Sequence, residues 1–121
     1  MAKPVSISQS TITPDKLASP VDGKATLVVG THTHVPTSDT IILKNGTAYQ
    51  TDAGMCGDYN SVIGMNKENS LNKFLNQKHL KHYPAEGEAT LCGSIVECDV
   101  KTGLAKNIKQ FIYGGVLQTS L

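Results

Sequence analysis

His32 and His34 are the residues of this chain whose type and spacing could do chemistry. They lie in Val28-Val29-Gly30-Thr31-His32-Thr33-His34-Val35-Pro36-Thr37, separated by one threonine. In extended backbone, side chains at i and i+2 leave the same side, so both imidazoles are expected to reach one point in space. Neutral imidazole is the commonest metal ligand among side chains, which makes that point a candidate metal site. The alternative is a pair of exposed histidines in a polar turn, because two ligands fall short of the set that makes zinc patterns specific. The apolar run Ala25 to Val29, stopped by Gly30, reads as a buried strand. Open α/β sheets take their ligands just past the carboxyl ends of such strands.

The elements around this block follow from pattern. Ile41 to Gln50 reads as a hairpin, with Asn45-Gly46 in the two positive-φ positions of a type I′ turn. The strand after the turn runs toward Asp52 and into Ala53-Gly54-Met55-Cys56-Gly57-Asp58-Tyr59-Asn60, a loop whose glycines permit close backbone approach or positive φ. Asn66 to Gln77 is expected to be a helix. Asn66, Asn69 or Ser70 can cap it, and Leu71, Phe74 and Leu75 share one face. Lys78 to Tyr83 is basic and carries His79 and His82, read as a solvated surface. Glu88 to Val100 and Leu104 to Tyr113 form a second expected hairpin, joined by Lys101-Thr102-Gly103 as a bulged three-residue loop. Leu91 and Ile95 on one face, with Cys92, Val96 and Cys98 on the other, imply a strand covered on both sides. At the N-terminus, residues 1–20 are rich in Ser, Thr and Pro. Val5 and Ile7 are compatible with a short edge strand or with disorder, and Thr13-Pro14 opens a short helical stretch to Ala18 that Pro20 ends.

The chain has 121 residues, enough for one domain at most. Hydrophobic residues make up 39% and charged residues 17%, which suits a globular piece. With aromatics at 5% and no Trp, the core is expected to rest on Val, Ile, Leu and Ala. A formal net charge of +1 without a basic stripe gives no electrostatic case for nucleic acid or a membrane surface. No apolar run approaches the roughly 20 residues of a membrane span, and Met1 to Ser6 lacks the apolar core of a secretory signal. Three cysteines cannot all pair internally. In one strand, Cys92 and Cys98 would stand roughly 20 Å apart at ~3.3 Å per residue, beyond disulfide reach, and both read as small hydrophobes. The expected compartment is cytoplasmic.

Four blocks, in this order and spacing, resemble one family: Gly30 to Thr37, Gly46 to Tyr49, Thr51 to Tyr59 and Ser61 to Met65. They are similar to the C-terminal part of the bacterial YmdB-like metallophosphoesterases, relatives of the calcineurin-type enzymes. The resemblance runs from Val21 to the C-terminus. It implies an α/β fold, the C-terminal portion of a four-layer sandwich, mostly β-strands with one clear helix. It divides the chain into an irregular segment, 1–20, and part of a metallophosphoesterase domain, 21–121. It also implies that His32 and His34 are the last two ligands of a site for two divalent metals, iron or manganese. The loop from Ala53 through Ser61-Val62-Ile63-Gly64 would then face that site, with Thr31, Thr33, Asp52, Gly54 and Ser61 as supporting or substrate-loop residues. Asp52 either orients an imidazole or caps the loop by accepting backbone amides.

The family's other ligands are an Asp, a Glu-Asn pair, an Asn-His pair and a further His, all upstream of the histidine block. Residues 1–30 contain no His, Glu or Asn, and their carboxylates are Asp15 and Asp22. Two neutral imidazoles supply no anionic charge against two divalent cations. The resemblance thus implies a phosphodiesterase of cyclic nucleotides or related phosphoesters, truncated and inactive alone. A partner chain with the missing ligands, or a homo-oligomer, would complete it for a small phosphoester substrate. The alternatives are a non-enzymatic β-rich remnant or interaction module with at most weak metal binding, and a structural zinc module that adds Cys56 or Cys92.

Overall fold

The computed structural model describes Lys3–Ile7 and residues 18–76 and 81–121. The helical stretch read at 13–17 and His79 lie outside the described residues. Six strands and one α-helix follow one another as β1 (Lys3–Ile7), β2 (Ala25–Gly30), β3 (Ile41–Ile42), β4 (Ala48–Gln50), α1 (Lys67–Asn76), β5 (Leu91–Cys98) and β6 (Ala105–Tyr113). The first four make a sheet in the order β1-β2-β4-β3, and β5 and β6 make a separate two-stranded ribbon. Strand β1, the edge strand weighed in the sequence, pairs parallel with β2; β2 pairs parallel with β4; β3 closes the other edge antiparallel to β4. The parallel run of β2 and β4 brings their carboxyl ends side by side, and the loops that leave those ends carry the histidine block and Asp52. The Ala53 amide donates to the Gly30 carbonyl at 2.9 Å, so the two loops stay joined beyond the strands.

Both hairpins form, but neither turn is the expected one. The loop of the first is Lys44 to Gly46: the Leu43 amide donates to the Thr47 carbonyl and the Gly46 amide to the Leu43 carbonyl. Gly46 alone takes positive φ, +99°, whereas a type I′ turn would require it of Asn45 as well. The cause is a distant carboxylate. Asp22 accepts the amides of Asn45 and Thr47 at 2.9 and 3.2 Å and fixes the turn from outside. In the second hairpin Asp99 accepts the amides of Lys101 and Thr102, and the Gly103 amide donates to the Asp99 carbonyl. The loop is therefore the four residues 100–103, and the ribbon is bulged at Glu97/Cys98.

The core departs from expectation in composition. Ala18, Ala25, Val28 and Tyr49 form its apolar part. The largest fully buried side chains are Gln50, Val28, Thr47, Thr90 and Asp52, four of them polar. Gln50 joins the two sheets: its Nε2 donates to the Thr37 carbonyl at 2.8 Å, and its Oε1 accepts the Ser94 hydroxyl of β5. Gln110 of β6 donates to the same Thr37 carbonyl at 2.8 Å. Gln50, fully buried and bonded through both its nitrogen and its oxygen, fixes register as well as burial.

Two apolar faces stay bare, one of them expected to be covered. Helix α1 forms, and Asn66 caps it by accepting the Asn69 amide at 2.9 Å. Its apolar residues Leu71, Phe74 and Leu75 are nevertheless exposed, because no element among the described residues lies over that face. Likewise the ribbon is covered on one side only. Leu91, Ile95 and Tyr113, which share its outer face by register, are about half exposed, and Cys98 is exposed while Cys92 is buried. All three cysteines are free.

Candidate functional site

A cavity of about 590 Å³ opens at the carboxyl ends of β2 and β4. Thr31, His32 and His34 come to it from the loop after β2, and Asp52, Gly54 and Asp58 from the loop after β4. His32 to Val35 is a series of bends rather than extended chain, and His34 has φ +66°. The two imidazoles reach the same cavity through a left-handed residue, not through the alternation of a strand. Asp52 explains the bend. Its Oδ2 accepts the amides of His32 (2.8 Å) and Thr33 (2.7 Å) and the Thr33 hydroxyl (2.9 Å), while Oδ1 accepts the Gly54 amide at 2.8 Å. Burial pushes this carboxyl up, but the Gly54 and Thr33 amides, the Thr33 hydroxyl and the His32 amide outweigh burial and hold it below the ordinary carboxylate range. Asp52 is thus a backbone cap that turns the histidine loop; it makes no hydrogen bond to either imidazole.

His34 is oriented from the opposite wall. Its Nδ1 lies 2.8 Å from the Ile63 carbonyl. A carbonyl only accepts, so Nδ1 carries a proton, and in the neutral ring the lone pair then sits on Nε2. Ile63 and Gly64 are the central residues of a two-residue turn closed by reciprocal Val62–Met65 bonds of 3.0 and 2.9 Å, with φ of +49° and +90°, the type I′ pattern. His34 and Ile63 are the two non-glycine residues with positive φ among those described, and they are bonded to each other. For a β-branched residue this backbone is a genuine outlier, and such strain persists only where the surroundings over-determine it. The wall behind the turn is the returning segment Tyr83 to Ala85, held by Asn66 N–H to Tyr83 O and Ala85 N–H to Gly64 O.

The remaining residues support the loops. Gly54 has φ +87°, and a Cβ there would stand 2.8 Å from the Pro36 nitrogen, so the two loops touch at a place that only glycine fits. Ser61 is not in the cavity wall. Its hydroxyl donates to the Asp58 carbonyl and accepts the Gly64 amide at 2.9 Å, and so shapes the turn that carries Ile63. Tyr59 accepts the Met55 amide and donates to the Met55 carbonyl; burial first, then its contact with Cys92, pushes its phenol up. Cys56 is an exposed thiol on the cavity rim. Asp58, Met65, Pro84 and Ala85 also line the cavity. Pro84 and Ala85 carry no signal in the sequence, since only the fold brings them back to the site.

The donor set fits part of a metal site. Two imidazoles face one cavity, and one is held by a carbonyl in the manner that fixes the tautomer of metal-binding histidines. The nearby carboxylates of Asp52 and Asp58 are occupied by backbone amides. Among the described residues no three His, Cys, Asp or Glu side chains converge, so the zinc alternative with Cys56 or Cys92 lacks its third donor.

A sequence profile of the YmdB-like proteins matches residues 8–111. The chain belongs to the YmdB-like family. Over 91 residues it is 43% identical to the 2′,3′-cyclic-nucleotide 2′-phosphodiesterase of Bacillus subtilis (strain 168), covering 75% of this chain and 34% of that protein. Among solved structures, a hypothetical protein from Thermus thermophilus is similar with a TM-score of 0.81 and 35% identity, over 93% of this chain and 44% of that one. A novel phosphatase from Mycoplasma pneumoniae is similar with a TM-score of 0.77 and 36% identity, over 90% and 40%. The chain thus spans about a third of the curated YmdB-like relative and under half of either structure. The fold it shares with them is a portion of the α/β metallophosphoesterase architecture. No helix among the described residues is long and apolar enough to cross a membrane.

Proposed function

We propose that this chain supplies two imidazole ligands, His32 and His34, and the surrounding substrate loops to a divalent-metal-dependent phosphoesterase acting on phosphodiesters of the cyclic-nucleotide type. The observation that carries this reading is the His34–Ile63 bond, which places the proton of a neutral His34 ring on Nδ1 and so assigns Nε2 the ligating role, in a residue that lines one cavity with His32. Bound divalent ions would supply Lewis-acid activation of water and charge neutralisation at phosphorus. The chain's own part is to orient the imidazoles, through the Ile63 carbonyl for His34 and through the Asp52-capped loop for both. Two neutral imidazoles do not balance two divalent cations, so in this reading anionic ligands join them from residues beyond His32 and His34, a partner chain or a second copy being one source. The metal pair is iron or manganese in this reading.

The test is calorimetric titration of the purified chain with Mn²⁺, alongside turnover of bis-p-nitrophenyl phosphate and a 2′,3′-cyclic nucleotide. Mn²⁺ binding is expected to weaken at least tenfold in His34→Ala and in His32→Ala. Binding that is equal in wild type and both variants sinks the assignment of these ligands. Turnover by the wild-type chain that vanishes in His32→Ala would show that the site is completed within this chain or its oligomer. A second reading, a non-enzymatic interaction module, is favoured by the exposed outer face of Leu91, Ile95 and Tyr113; it predicts at most weak metal binding and no turnover.

A further inference from the structure

Ile63 stands between two hollows. One is the histidine cavity. The other is an apolar groove of about 430 Å³ between the Val62–Met65 turn and helix α1, whose walls include Ile63, Met65, Ser70, Phe74 and, at the rim, Lys73 and His82. Ile63 and Met65 belong to both walls, so the two hollows are separated by one residue's width.

Three observations need a common cause. An isoleucine occupies the first central position of a type I′ turn, where Asn or Gly is at ease and a β-branched residue is strained. The residue is 63% exposed, so packing within the described chain does not offset that strain. Across the groove Phe74 is 83% exposed, and the Ser70 hydroxyl, closed to water, has no hydrogen-bond partner. Strained backbone, a bare aromatic and an orphaned hydroxyl around one groove describe a site for a ligand with apolar faces and a polar edge.

Resting on the phosphoesterase reading above, we infer that this groove seats the nucleobase of a nucleotide whose phosphate lies in the histidine cavity. A planar heterocycle places its face against Phe74 and Ile63, and its hydrogen-bonding edge can reach the Ser70 hydroxyl once that side chain turns toward it. Base–aromatic stacking is the common sequence-tolerant way to hold a base. The ridge at Ile63 then does two things. Its carbonyl orients His34, and its side chain sets base and phosphate apart.

The experiment titrates the chain, with Mn²⁺ present and absent, with adenosine 3′-monophosphate and with ribose 5-phosphate. The nucleotide is expected to bind at least tenfold more tightly. Phe74→Ala should reduce that preference at least fivefold without changing ribose phosphate binding. Ile63→Asn should also reduce it while raising the melting temperature, because Asn-Gly suits the turn; a purely structural role for Ile63 cannot produce that opposition. Equal binding of the two phosphates, no binding of either, or a preference unchanged in both variants overturns the inference. Mn²⁺ binding decides the metal reading separately. A base preference without Mn²⁺ binding would leave the groove standing and remove the metal, and the converse would remove the groove alone.

Discussion

Asp52 does its work by accepting hydrogen bonds. One buried carboxylate holds three backbone amides and a hydroxyl, and so bends the chain that carries both histidines. Asp52→Asn keeps the shape but turns an amino group toward amide donors. Bonds to a charged acceptor are worth about 1.5–3 kcal/mol each, so the variant should lose roughly 2–4 kcal/mol of unfolding free energy, read from urea midpoints. Mn²⁺ affinity should fall with it, since the imidazoles lose their common cap. At this scale the sequence was partly legible. His32, His34 and Asp52 stood out by type and spacing, and the cap was one of two roles weighed for Asp52. The means of convergence was not legible, because the left-handed backbone at His34 is imposed by Asp52 and Ile63, 18 and 29 residues further along the chain. Ile63 gave no residue-level signal, since a β-branched residue is the last expected in a type I′ turn.

At the scale of elements, strands and helix were legible from periodicity, and the turns were not. Both hairpins are shaped by an aspartate outside the two or three residues that turn propensities describe. Asp22 reaches the first from another segment. In the second, Asp99 caps its own loop and pairs with Lys106 across the ribbon at 2.9 Å. The Lys106 bond, then the Thr102 and Lys101 amides, hold the Asp99 carboxyl down at about 2. Its folded value lies below the unfolded one, so its contribution to stability is full above pH ~4 and is lost as pH falls toward about 2. In Lys106→Ala the Asp99 midpoint, followed by carboxyl NMR, should rise toward the ordinary value of 3.8. An unmoved midpoint would assign the shift to the turn amides alone. The helix shows the other limit of local pattern: the face of Leu71, Phe74 and Leu75 was readable as apolar, but nothing in its period says whether anything covers it.

For the whole molecule, the expectation of a strand covered on both sides fails at the outer face of the β5–β6 ribbon. Single exposed apolar residues are ordinary, but Leu91 and Tyr113 pair directly on one face and Ile95 follows on the same face beyond the Gly93–Phe111 pair, and apolar patches favour association. Ile95→Thr, which keeps a β-branched residue, should lower the light-scattering mass of concentrated chain, with stability changed by no more than about 0.5 kcal/mol. A scattering mass that stays constant would show that this face does not drive association.

The bond between His34 and Ile63 carries one more consequence. Each of the two left-handed residues is secured by the other, so neither the histidine loop nor the Val62–Met65 turn is a portable module. A peptide cut from Gly30 to Pro36, or the same residues grafted onto another scaffold's strand end, would carry both imidazoles yet have no reason to aim them. A designer who wants this constellation elsewhere has to transplant the pair of loops with the Asp52 cap, and treat all three as a single part.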